Sequence, residues 1–104
     1  MEQTTYEISG RDLFVYLGME IDHHQVSFIT REISFYIGSK MTKNIIFDFQ
    51  NVSFMDSSGI GMVMDAYKKA VMLGGTVMVC NMSKKVDRIF RMSGVYRFVR
   101  VLEL

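Results

Sequence analysis

Two short stretches of alternating apolar and polar residues, Thr4 to Ser9 and Asp12 to Leu17, flank Ser9-Gly10-Arg11 and predict a β-hairpin. The period then changes. Val26, Ile29, Ile33 and Ile37 step by three and four, which places them on one face of a helix. Asp22, with Gln25 three residues on, marks the start of that helix, since both side chains suit the free N–H groups of a first turn, and Gly38 suits a left-handed stop. Asn44 to Phe49 is a dense apolar run that reads as a buried strand. Strand gives way to helix across Phe54 to Gly61, after which Ile60, Val63, Met64, Tyr67 and Val71 form a second helical stripe. Gly74-Gly75 stops this helix; a strand from Thr76 to Cys80, a short helix from Lys84 to Met92 ending at Gly94, and a last strand from Phe98 to Leu102 complete the chain. The order is β-β-α-β-α-β-α-β. Because βα repeats need crossovers that lay parallel strands beside helices, the expected fold is α/β, a mixed sheet of about five strands with helices chiefly on one face.

The chain has 104 residues, 49% of them apolar, enough for one core and too few for two, so residues 1–104 are read as a single domain. No proline, low-complexity stretch or repeat marks a linker. No leader and no long apolar run is read at the start, and the lone Cys80 excludes an internal disulfide, so a cytoplasmic protein without a membrane partner is expected. Cys80 itself reads as a small hydrophobe at a strand end. The net charge of +1 conceals a polarity: eight of the eleven acids fall in residues 1–56, and eight of the twelve Lys and Arg residues fall in 57–104. Lys84, Arg88 and Arg91 recur at helical spacing opposite Val86, Ile89 and Phe90. They form either a basic stripe for nucleic acid or, with better odds, a solvated outer face, since phosphate-binding surfaces are usually more basic and interleave aromatics with the cations.

Candidate chemistry centres on Asp56-Ser57-Ser58-Gly59-Ile60-Gly61, where a strand feeds a helix on the crevice side of an α/β sheet. Asp56 in the N-cap position would place both serines in the first turn, where a phosphate would sit favourably in the helix dipole. Gly59 and Gly61 weaken the helix, which suggests close approach of another backbone or of a partner. A purely structural polar cap accounts for the local pattern about equally well. A serine nucleophile is a weaker reading, since it needs a base and an oxyanion site, and the segment lacks the lysine and glycine spacing of a nucleotide-binding loop. Asp22-His23-His24 gives no convergent metal pair, because neighbours on a helix diverge by about 100°. No metal, cofactor or catalytic residue is assigned. The ten methionines are read mostly as core filler, with Met55 and Met62, beside the serines, as candidates for an adaptable contact surface.

These residues resemble the STAS domain of bacterial anti-sigma factor antagonists, particularly the sporulation type. The likeness rests on Glu20-Ile21-Asp22-His23-His24, on Val52-Ser53-Phe54-Met55-Asp56-Ser57-Ser58-Gly59-Ile60-Gly61, on Gly74-Gly75 before a strand, and on Ile89-Phe90-Arg91-Met92-Ser93-Gly94-Val95. The resemblance implies a non-enzymatic partner switch. The unmodified antagonist binds an anti-sigma factor that is also a serine kinase and so frees a sigma factor; the kinase phosphorylates the serine matching Ser57, and a serine phosphatase reverses it. It further implies that Asp22, Asp56, Ser57, Ser58, Gly59 and Ile60 face the partner, and that any ATP is held by the kinase. Two departures stand out. Met19 occupies the place of a family glycine, with Gly18 one residue earlier, and the chain stops at Leu104, without the family's usual C-terminal helix. Pairing of two copies through exposed apolar surface or a free strand edge is therefore expected. The alternatives are a STAS subunit of another signalling scaffold or transport regulator and, from a different class, a nucleic-acid-binding domain using Lys84, Arg88 and Arg91.

Overall fold

A computed structural model describes residues 3–39 and 41–103. The hairpin forms from β1 (Thr5–Ser9) and β2 (Asp12–Tyr16), with Gly10 at a φ of 62° in its turn. Then come β3 (Glu20–Ile21), α1 (His23–Ser39), β4 (Asn44–Asp48), β5 (Phe54–Met55), α2 (Ser58–Met72), β6 (Val77–Cys80), α3 (Lys84–Ser93), a 3₁₀ turn (Val95–Arg97) and β7 (Arg100–Val101). The main sheet has the order β1-β2-β4-β6-β7; the β1–β2 pair is antiparallel and the other pairs are parallel, as the crossovers require. The expected mixed five-stranded sheet is thus present, with three α-helices among the described residues. A second sheet, the parallel pair β3–β5, was not foreseen.

Strand alternation explains where the core lies. Leu13 and Val15 on β2, Ile45 and Phe47 on β4, and Val77 and Val79 on β6 are completely buried, and they pack with Ile29 and Ile33 of α1, Val63, Ala66 and Ala70 of α2, and Val86 and Phe90 of α3. The helices therefore cover one face. The opposite face carries Phe14, Tyr16, Ile46 and Met78, of which Ile46 alone is buried. The Cys80 thiol is free and buried, and its burial, with Asp48 nearby, pushes its pKa up to about 11.

Several expectations change in detail. Gly38 does not stop α1, which runs to Ser39; the left-handed residue is Met41, with φ at 60°. The Ser39 hydroxyl donates to the Phe35 carbonyl at 2.6 Å and the Thr42 hydroxyl to the Tyr36 carbonyl at 3.2 Å, so two carbonyls of the last turns take side-chain bonds. The buried stripe of α2 is Met62, Val63, Ala66 and Ala70, while Val71 is exposed. Met55 and Met62 are core residues and not contact surface, whereas Met41, Met72 and Met92 are each more than 80% exposed. The last strand is shorter than expected because Phe98 belongs to the end of the 3₁₀ turn, where its ring lies 5.5 Å from that of Tyr67. Leu104, on which the expectation about the chain end rests, lies outside the described residues.

Candidate functional site

The β3–β5 ribbon sets the start of α1 beside the start of α2. Glu20 lies opposite Phe54, and Ile21 lies opposite Met55. Ile21 and Met55 are buried, while Glu20 and Phe54 alternate to the outside. Backbone hydrogen bonds extend the match on either side: Ser53 and Phe54 N–H donate to the Met19 carbonyl at 2.8 and 3.1 Å, and Asp56 N–H donates to the Ile21 carbonyl at 3.1 Å. Asp22 and Asp56 each follow one strand of this ribbon and precede one helix. Their similar roles follow from that placement.

Asp22 caps α1, its Oδ1 accepting the Gln25 N–H at 2.9 Å. At α2 the helix starts one residue later than expected: Ser57, not Asp56, holds the N-cap position and only Ser58 lies in the first turn, while Asp56 Oδ1 accepts the Ser58 N–H at 2.9 Å. The Ser58 hydroxyl donates to the same carboxylate oxygen. These Ser58 bonds are the main reason that the Asp56 carboxyl titrates below its ordinary value of 3.8, with His23, through its ring and its backbone N–H, adding to the effect. A carboxyl depressed in the folded state contributes stability above its unfolded pKa and loses it as pH falls through the folded value. In an NMR titration, the Asp56 side chain should accordingly protonate below 3.8, and Ser58→Ala should move the midpoint back up towards that figure. An unmoved midpoint would show that the Ser58 bonds do not hold this carboxylate.

The two serines of the motif are not equivalent. Ser58 is partly buried and its hydroxyl is engaged by Asp56, whereas Ser57 is exposed and its side chain makes no capping bond. Ile60 is half-buried and Gly61 exposed. Gly59 is buried, and a Cβ there would lie 2.5 Å from Met55 Sδ, so its missing side chain serves closure of the turn from inside. Asp22, Asp56, Ser57 and Ser58 are thereby gathered at one end of the molecule. Phe54, about half exposed on the ribbon, belongs to the same surface; nothing in its local spacing distinguishes it from a core residue.

His23 and His24 are exposed with their rings edge to face at 5.8 Å, and no cluster of three metal-ligating side chains occurs among the described residues. In the basic stripe, Lys84, Arg88 and Arg91 do share exposed positions on α3, but Arg91 Nε is paired with Asp87 at 2.7 Å and its guanidinium lies over the Tyr96 ring at 5.9 Å. That pairing lowers the net charge the stripe offers to a phosphate backbone. No helix among the described residues is long and apolar enough to cross a membrane.

Residues 3–103 match the model of the STAS domain family. The anti-sigma F factor antagonist of Paenibacillus polymyxa is 31% identical over 91 residues, covering 88% of this chain and 78% of that protein. The solved structure of the anti-sigma factor antagonist SpoIIAA in its unphosphorylated form superposes with a TM-score of 0.86 at 31% identity, covering 96% of this chain and 88% of that one. The phosphorylated form of the Bacillus cell fate determinant SpoIIAA gives a TM-score of 0.77 at 30% identity, covering 96% and 91%.

Proposed function

The chain belongs to the STAS family, and from that premise we propose that it is a cytoplasmic anti-sigma factor antagonist, one that binds an anti-sigma factor with serine kinase activity and is inactivated by phosphorylation of Ser57. The observation that carries this reading is the contrast between the serines: the Ser57 hydroxyl is presented to solvent while that of Ser58 is held by Asp56. A kinase must reach the hydroxyl and align it with ATP, and a side chain already bonded to a carboxylate is the poorer substrate. The relatives support the same reading, since they are antagonists of this kind and one is known in both phosphorylated and unphosphorylated forms.

In this cycle the unmodified turn, with Asp22, Asp56, Ser57, Ser58 and Ile60, contacts the kinase, and a serine phosphatase restores the surface. The protein performs no chemistry itself. The deciding test is mass-spectrometric site mapping after incubation with the cognate kinase and ATP. Phosphate on Ser57 is expected; phosphate on Ser58 alone would shift the switch by one residue, and none on either would remove it.

Homodimer formation through the sheet face opposite the helices, with the half-buried Phe14 and Tyr16 as its aromatic contacts, is part of the same proposal. Sedimentation at high micromolar concentration should show dimer that Phe14→Glu abolishes. Monomer throughout would remove that element and leave the switch intact.

A further inference from the structure

We propose that Phe54 and Met19 form the apolar anchor of the contact made by the Ser57 turn, received by a pocket on the partner that is apolar at its centre and edged by Lys or Arg; this rests on the antagonist reading above. Phe54, on β5, is 52% exposed, and Met19, the residue before β3, is 37% exposed. The Phe54 N–H donates to the Met19 carbonyl at 3.1 Å, which makes the two residues backbone neighbours at the start of the ribbon. The fold does not bury them: inward packing of the ribbon is done by Ile21 and Met55. An exposed aromatic side chain with a neighbouring methionine matches the composition of interface centres, where a few large residues carry most of the binding energy inside a polar rim.

The rim determines the partner's chemistry. Glu20 stands opposite Phe54 on the ribbon, and Asp22 and Asp56 follow at its two ends. Residues 19–24 and 53–60 contain these three acids and no Lys or Arg. A complementary surface is therefore cationic around an apolar centre. An acidic peptide or nucleic acid would meet like charge.

Calorimetric titration with the cognate anti-sigma factor kinase tests this. Phe54→Ala should weaken binding by about thirtyfold or more, the scale of an interface hot spot, and Met19→Ala by about fivefold, with melting temperatures unchanged since neither ring nor thioether is in the core. Met72→Ala, which removes a side chain 86% exposed at the far end of α2, should leave affinity unaltered and so controls for loss of general surface apolarity. Rising salt should weaken the parent complex, and Glu20→Gln should flatten that dependence. If the parent binds and Phe54→Ala binds equally well, the anchor is overturned while the antagonist reading stands. A salt-independent parent affinity overturns the cationic rim. A parent that does not bind overturns the antagonist reading and the anchor together.

Discussion

Phosphorylation of Ser57 is expected to weaken binding to the anti-sigma factor by at least about two orders of magnitude while the melting temperature barely moves. The fold has room for the group. Ser57 is exposed at the N-terminus of α2, and the positive end of the helix dipole tolerates an anion there. The first free N–H of the turn, that of Ser58, is already taken by Asp56, so the phosphate does not simply settle into an empty cap. It adds a charge of about −1.5 to −2 next to a carboxylate that stays ionised. With Asp22 and Glu20 on the same surface, the result is a dense negative patch carrying a strongly hydrated group in the middle of a contact that must lose its water. The cost falls on the complex and not on folding. Ser57→Ala should bind the partner and resist modification, Ser57→Asp should bind poorly, and Ser58→Ala should still accept phosphate. Calorimetry of each form, beside its thermal melt, separates the two effects. Undiminished binding by the Ser57 phosphoform would end the partner-switch reading, and a large drop in melting temperature would mean that the modification acts by loosening the domain.

What could be read from the sequence was what is decided locally. Asp22 is legible as a cap because a carboxylate just ahead of a helical stripe has few other uses, Asp56 is legible as a bonding partner of the α2 start although the N-cap position falls on Ser57, and Gly94 is legible as a stop because its left-handed conformation depends only on its own backbone. Gly38 fails by the same logic: a glycine at the end of a stripe is a sufficient stop but not a necessary one, and here the helix runs one residue past it while the Ser39 and Thr42 hydroxyls bond the Phe35 and Tyr36 carbonyls. The β3–β5 pair escaped detection because two residues are too few to show alternation, so the element that brings Asp22 to Asp56 left no periodic signal. Met55 and Met62, read as candidates for a contact surface, prove to be core, and the exposed Phe54 is not singled out, for a related reason. Which of them is buried depends on that pairing and on the rotation of α2 against the sheet, neither of which is a property of the segment alone. The difference between Ser57 and Ser58 was likewise hidden, since it hangs on one carboxylate oxygen.

The same distinction between local and tertiary demands predicts unequal outcomes at the adjacent glycines after α2. Gly74 has φ at 78° with open space where a Cβ would go, so Gly74→Ala should cost only the strain of a left-handed alanine, about 1–2 kcal/mol. Gly75 is limited by a neighbour. A Cβ there would fall 1.8 Å from the Lys43 carbonyl oxygen, a backbone atom that no side-chain rotation can move. Neither side can retreat cheaply. Lys43 and Asn44 N–H both donate to the Arg11 carbonyl, at 2.9 and 3.1 Å, which ties that carbonyl's segment to the start of β2. Gly75 N–H donates to the Ala70 carbonyl at 2.8 Å, and Thr76 is bonded in both directions, its N–H to Asn44 Oδ1 at 3.1 Å and its carbonyl to the Ile45 N–H at 2.9 Å. Relieving the clash means pulling the entry of β6 away from β4, where Ile45 and Val77 pair in the core. Gly75→Ala should therefore cost about 3–5 kcal/mol, a large part of the 5–15 kcal/mol typical of a domain. The melting temperature should fall by roughly 15 °C or more, against roughly 5–10 °C for Gly74→Ala. Paired thermal melts decide it: equal losses at the two positions would show that only backbone conformation matters in this turn, and a near-normal melt for Gly75→Ala would mean that the α2–β6 loop does not pack on Lys43 in solution.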